Sequence, residues 1–152
     1  WFECKIRYEK TMENGMNKKV TEPYLVDALS FTEAEARIIE EMTPYISGEF
    51  TVSDIKRAKY SELFFAEDTE SDRWFKCKLT FITLDEKSGA EKKTSTNVLV
   101  QATDLRDAVK KLDEGMKGSM ADYIISSVAE TAIMDVYPYS EGPNDKPEFP
   151  GA

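Results

Sequence analysis

An α+β fold made from two copies of one ββαβ unit is what this 152-residue sequence predicts, and three observations carry that reading. Trp1-Phe2-Glu3-Cys4-Lys5-Ile6 recurs as Trp74-Phe75-Lys76-Cys77-Lys78-Leu79, an offset of 73 (74 − 1). Further anchors follow in the same order at nearly the same spacing: Lys18-Lys19 against Lys92-Lys93, Leu25-Val26-Asp27-Ala28 against Leu99-Val100-Gln101-Ala102, Thr32 to Ala36 against Asp104 to Ala108, and Ile55 to Phe64 against Val128 to Tyr137. Within each copy the apolar residues alternate as in a strand, then recur at helical spacing, then return to β-forming runs. The expected organisation is a first repeat over residues 1–66, an acidic connector over 67–73, a second repeat over 74–139 sharing one core with the first, and a flexible Pro/Gly tail over 140–152. The repeats are expected to be related by pseudo-twofold symmetry, with antiparallel sheet or sheets packed against two helices.

The first strand of each copy divides cleanly. Phe2, Cys4, Ile6 and Tyr8 fall on one face and Glu3, Lys5, Arg7 and Glu9 on the other, and Phe75, Cys77, Leu79 and Phe81 repeat the apolar set. Asn14-Gly15 and Ser88-Gly89 supply the positive φ that a tight hairpin requires. The returning strands bring Tyr24, Val26 and Ala28, or Val98, Val100 and Ala102, to a common face. The first helix is expected to begin at Thr32 as N-cap, with Glu35 closing a capping box, and to bury Ala34, Ile38, Met42 and Tyr45. Asp104 caps the second, whose stripe is Leu105, Val109, Leu112 and Met116. Pro44 and Gly48, then Gly115 and Gly118, end the helices. The final β-rich runs begin at Phe50 and Tyr123 and are long enough to bend or bulge. A unit of about 65 residues buries little by itself, which is why the copies are expected to share a core.

Composition narrows the chemistry. The chain has no histidine and two cysteines, which removes the commonest general base and metal ligand and leaves too few thiols for a zinc cage. Phosphate-loop, dinucleotide, nucleophile-elbow and zinc-protease motifs are all missing. No cofactor or metal is implied. Cys4 and Cys77 hold equivalent inward positions and read as small buried hydrophobes rather than a redox pair. Asp68, Glu70 and Asp72 alternate in the connector but lack the glycine and distal glutamate of a calcium loop, so they read as a solvated linker. No apolar run is long enough to span a membrane and no signal segment stands at the start, so the expected location is cytoplasmic, away from membranes.

The net charge of −9 is uneven. Copy one carries nine basic and twelve acidic residues and copy two nine and ten, while the connector adds −3 and the tail −2. Strand parity then places Trp1 beside Lys5 and Arg7, and Trp74 beside Lys76 and Lys78, on the face away from the apolar set. Aromatic rings next to cations on an open sheet suit a single-stranded nucleic acid, with bases on the rings and phosphates on the charges. The same tryptophans can instead be buried under a loop or form a subunit contact. The leading expectation is a non-enzymatic binding protein that takes single-stranded nucleic acid or a protein partner. A homodimeric interaction or assembly module is the alternative, and an enzyme with a carboxylate site comes third.

The segments Trp1 to Tyr8, Val20 to Ala28 and Phe31 to Ala36 resemble an uncharacterised domain family of gut anaerobic bacteria and their phages, over most of residues 1–139. That resemblance implies no catalytic or binding residue; a phage setting implies a role near DNA replication or packaging by association alone.

Overall fold

The computed structural model describes residues 1–119 and 121–138; the expected tail lies outside the described residues. The element order is β1 (Phe2–Thr11), β2 (Asn17–Val26), α1 (Phe31–Met42), β3 (Phe50–Arg57), β4 (Glu62–Phe64), β5 (Arg73–Leu84), β6 (Glu91–Ala102), α2 (Leu105–Gly115), β7 (Tyr123–Glu130) and β8 (Val136–Tyr137). The fold is α+β, with two four-stranded sheets of mainly antiparallel pairing and one long helix on each.

The chain divides into two compact units. Among the described residues the first is Trp1–Ala58 with residues 135–138, and the second lies within Lys59–Met134. In the first, the strand order is β3-β1-β2-β8. The β1–β2 hairpin turns at Gly15, whose φ of 81 lies in the left-handed region. Cys4 sits between Tyr24 and Ile55, and the register against β3 slips between Lys5 and Ile6. Phe2, Cys4, Ile6, Val26, Ala34, Ile38 and Met42 form the buried cluster under α1. The short β8 runs parallel to β2, where Leu25 N–H donates to Asp135 O at 3.0 Å and Asp27 N–H to Tyr137 O at 3.0 Å.

In the second unit the order is β4-β6-β5-β7. Its hairpin turns at Gly89, φ 69. Cys77 lies between Val98 and Val128, and the register against β7 slips between Lys78 and Leu79. Phe75, Cys77, Leu79, Val98, Val100, Ala108 and Leu112 form the cluster under α2. The short β4 runs parallel to β6, with Leu63 opposite Leu99.

One buried cluster lies under each helix, and Leu25, Trp74, Leu99, Ile133 and Val136 are buried outside both. Several expectations need correction. Residues 59–66, grouped with the first repeat by sequence, pair through β4 with β6; residues 135–137, grouped with the second, pair through β8 with β2. The residues between β4 and β5 are fastened to α2, since Lys111 Nζ donates to Asp68 Oδ2 at 2.9 Å and to the Ser71 hydroxyl. The N-cap of α1 is Ser30, whose hydroxyl accepts from Glu33 N–H at 3.1 Å, and not Thr32. Tyr45 lies beyond α1 and is exposed. In α2 Ala108 and Leu112 are buried and Met116 packs against their cluster, so Leu112 and Met116 of the expected stripe meet the core while Leu105 is exposed.

Candidate binding face of the second sheet

Parity along β5 divides its side chains as predicted: Phe75, Cys77 and Leu79 go under α2, and Lys76 and Lys78 go to the opposite face. The gentle repeat of the pleat then fixes their neighbours. Lys76 stands between Leu99 of β6 and Ala129 of β7, and Lys78 between Asn97 and Ser127. One pair further on, Thr80 shares a face with Ser95, and its hydroxyl lies 2.6 Å from that of Ser126 and 3.3 Å from that of Ser95. Both lysines are exposed, and among the described residues neither has an ion pair. The face around them offers hydroxyls and an amide but no carboxylate on the paired positions. At these positions no carboxylate competes with an incoming anion for the cations.

The first unit does not reproduce this surface. Lys5 is half-buried and stands between Pro23 and Asp54, so a carboxylate already faces it. Glu3 pairs with Lys56 at 3.3 Å. Arg7 is exposed between Thr21 and Thr51, and it helps line an open cleft of about 600 Å³ together with Lys19, Glu9 and Glu49. Charges of both signs alternate there, leaving no net field of one sign.

The tryptophans also differ. Trp1 precedes β1 and is half-buried, its carbonyl accepting from Ala58 N–H at 2.8 Å. Trp74 is 2% exposed. Its ring meets Phe65 edge-on, with centroids 5.5 Å apart and planes at 85°, and its carbonyl accepts from both Thr131 N–H at 2.8 Å and the Thr131 hydroxyl at 2.9 Å. A ring enclosed in this way has no face for a base to stack on. Strand parity assigned Trp74 to the correct side of the sheet; the aromatic residue that follows β4 closes over it.

Two side-chain groups outside this face bear on catalysis. Lys111 Nζ reaches Asp68 Oδ2 at 2.9 Å, Asp107 Oδ2 at 2.9 Å and the Ser71 hydroxyl at 2.5 Å. A serine next to a lysine is the nucleophile and base of some hydrolases. Here burial pulls the ammonium toward neutrality, but the hydrogen bonds to Asp68 and Asp107 outweigh it and raise the Lys111 pKa. The Ser71 and Lys111 hydrogen bonds hold the Asp68 carboxyl well below the ordinary range, and the Thr103 N–H and Lys111 do the same for Asp107. A lysine kept protonated between two carboxylates cannot accept the proton of Ser71. The group works as a clasp fastening the residues before β5 to α2. Cys4 and Cys77 are fully buried, each thiol pushed up to about 11, chiefly by burial. For Cys4 the Glu3 and Asp54 carboxylates add to the rise. Neither thiol has the thiolate character a nucleophile needs. The described residues contain no cluster of His, Cys, Asp or Glu suited to a metal ion, and no described helix is long and apolar enough to cross a membrane.

Asn97, Ser95 and Ser127 escaped sequence reasoning. The partners across β6 were in principle readable, because a hairpin closed at Gly89 fixes which residues face each other. The β7 partners were not, because the register slip beside Lys78 depends on packing.

No curated protein and no solved structure matches this chain. The family model described as "Domain of unknown function (DUF4494)" matches residues 1–139, and the chain belongs to that family.

Proposed function

We propose that the protein is a non-enzymatic binding module whose second sheet takes single-stranded nucleic acid, in a phage or mobile-element setting. The observation that carries this reading is the exposed pair Lys76 and Lys78, set among Asn97, Ser95 and Ser127 with no carboxylate on the facing positions. Phosphates would rest on the lysines while the amide and hydroxyls donate to phosphate or sugar oxygens. With Trp74 enclosed, base stacking contributes less here than backbone contact does, so binding should be weak in sequence preference and sensitive to salt. The overall charge of −9 limits non-specific affinity and favours a confined site over a broad one.

The reading also supposes that the two units descend from one duplicated ββαβ ancestor. Supporting this are their matching strand orders, hairpin glycines, register slips and short parallel fourth strands. In the descendant, then, Lys5 has a facing carboxylate in Asp54 while Lys76 and Lys78 have none.

Fluorescence anisotropy of labelled oligo-dT provides the test. Binding at low salt should weaken with a log–log slope of about −0.7 for each phosphate neutralised. Lys76→Glu/Lys78→Glu should abolish it, and Lys5→Glu/Arg7→Glu should change it little. Absence of binding at low salt, or equal loss from both double variants, would overturn the assignment to this face. The alternative reading, a homodimeric assembly module, is favoured by the exposed and nearly uncharged edge strand β7.

A further inference from the structure

Each sheet ends on one side in an eight-residue strand, β3 in the first and β7 in the second. An edge strand presents unpaired N–H and C=O groups, and proteins commonly guard such edges with charge. β3 follows that rule: Phe-Thr-Val-Ser-Asp-Ile-Lys-Arg carries Asp54, Lys56 and Arg57. β7 does not. Its sequence Tyr-Ile-Ile-Ser-Ser-Val-Ala-Glu has one charge, Glu130 at the end, and that carboxylate is already engaged by Arg73 at 2.6 Å.

The register slip gives β7 a second property. Tyr123, Ile125 and Val128 are half-buried on the α2 side, while Ile124, Ser126, Ser127 and Ala129 are exposed. From Ile124 to Ala129 the order of exposed and half-buried positions reads the same in both directions, with its centre between Ser126 and Ser127, and β3 shares this pattern. A regular strand keeps its faces when it pairs antiparallel with its own copy about an axis through one residue; here the slip moves that axis to a point between two residues. Pairing about that axis keeps every apolar residue on the correct side, so the side chains brought together decide between the two edges.

We infer that β7 is a homodimerisation edge, pairing antiparallel with β7 of a second copy of this chain. In that register Ile125 lies opposite Val128 and extends the apolar layer beneath α2, Ile124 lies opposite Ala129 on the other face, and the central pair is Ser126 with Ser127. Ile124, now 52% exposed, gains an apolar neighbour. No like charges oppose each other. The same pairing through β3 would crowd two Asp54 carboxylates about the axis, which selects β7 over β3. The inference is independent of nucleic-acid binding, although a dimer of this kind would set two Lys76/Lys78 faces in one continuous sheet.

The experiment is sedimentation of the full chain over a wide concentration range, beside Ser127→Lys, Ala129→Lys and, on the other edge, Thr51→Lys. All three positions are exposed, so the variants should fold, and circular dichroism checks that they do. A concentration-dependent monomer–dimer equilibrium is expected, weakened about tenfold or more by Ser127→Lys and Ala129→Lys and unchanged by Thr51→Lys. Hydrogen exchange of the β7 amides should slow as the wild-type concentration rises. A monomer at every concentration, or a dimer indifferent to the β7 substitutions, would overturn the inference, and neither result bears on oligo-dT binding.

Discussion

Lys111 meets three oxygen atoms, from Asp68, Asp107 and Ser71, although only Asp107 is near it in sequence. An (i, i+4) Asp–Lys pair on a helix is readable from spacing alone. Asp68 and Ser71 are not, because their approach depends on how the chain returns from β4 to β5. For that reason the acidic run Glu67 to Asp72 reads as a solvated linker until its fold is known. The clasp has a pH signature with a definite sign. Asp68 and Asp107 have depressed pKa values, so their stabilisation is fully present above the ordinary carboxylate range near ~4 and is lost only as pH falls through the lower folded values. Lys111 has a raised pKa, so its share is present below ~10.4 and is lost as pH rises past the folded value. Asp68 is exposed while Lys111 and Asp107 are half-buried, so solvent screens the clasp in part and keeps the effect modest. Urea unfolding followed from acid to neutral pH should show Asp68→Asn less stable than wild type at neutrality, with the difference closing in strong acid. A constant difference at all pH values would mean that the carboxylate charge plays no part.

The elements themselves were largely legible. Gly15 and Gly89 both adopt positive φ where the two hairpins turn, and the alternation of β1 and β5 predicts which residues enter the two clusters, including both cysteines. Helix phase was harder to read. Leu112 and Met116 of the expected α2 stripe do meet the core, yet Leu105, at the same spacing, is exposed and Ala108 is buried in the first turns instead. One glycine acts through space rather than through its backbone angle. A Cβ at Gly115, the last residue of α2, would fall 2.7 Å from the Phe64 ring of β4. Alanine in place of a helical glycine ordinarily stabilises by up to ~1 kcal/mol. Here overpacking, typically about 1–3 kcal/mol, opposes that gain. Gly115→Ala should therefore destabilise the second unit by roughly 1 kcal/mol in chemical denaturation. Phe64→Leu in the same chain should recover much of the loss, and a stabilised Gly115→Ala single variant would show that the ring moves aside freely.

At the scale of the whole molecule, the path of the chain differs from the simple succession of repeats that the sequence suggests. Each sheet contains three strands grouped with its own helix by the sequence repeat and a fourth that the repeat assigns to the other copy: β4 follows β3 but joins the sheet that begins just after it by pairing with β6, and β8 follows β7 but returns to pair with β2. Three-residue and two-residue strands such as these leave little periodicity to detect, and parallel pairing gives no turn signal, so sequence alone could align Glu62 to Phe64 with Asp135 to Tyr137 without revealing where either goes. The consequence concerns local stability. β8 satisfies the N–H groups of Leu25 and Asp27, lays Tyr137 beside Tyr24 at 6.2 Å, and is followed by Pro138, whose carbonyl accepts from Arg37 at 2.9 Å. A chain ending at Met134 would leave that side of β2 without its backbone partners, whereas every strand of the second sheet would be retained. Hydrogen exchange should then show faster exchange in β2 and α1 while β5 and β6 keep their protection, because the opening free energy of a segment follows the contacts that close it. If the truncation instead loosened both sheets equally, the two clusters would have to be one cooperative unit, and the assignment of β8 to the stability of the first sheet alone would fail.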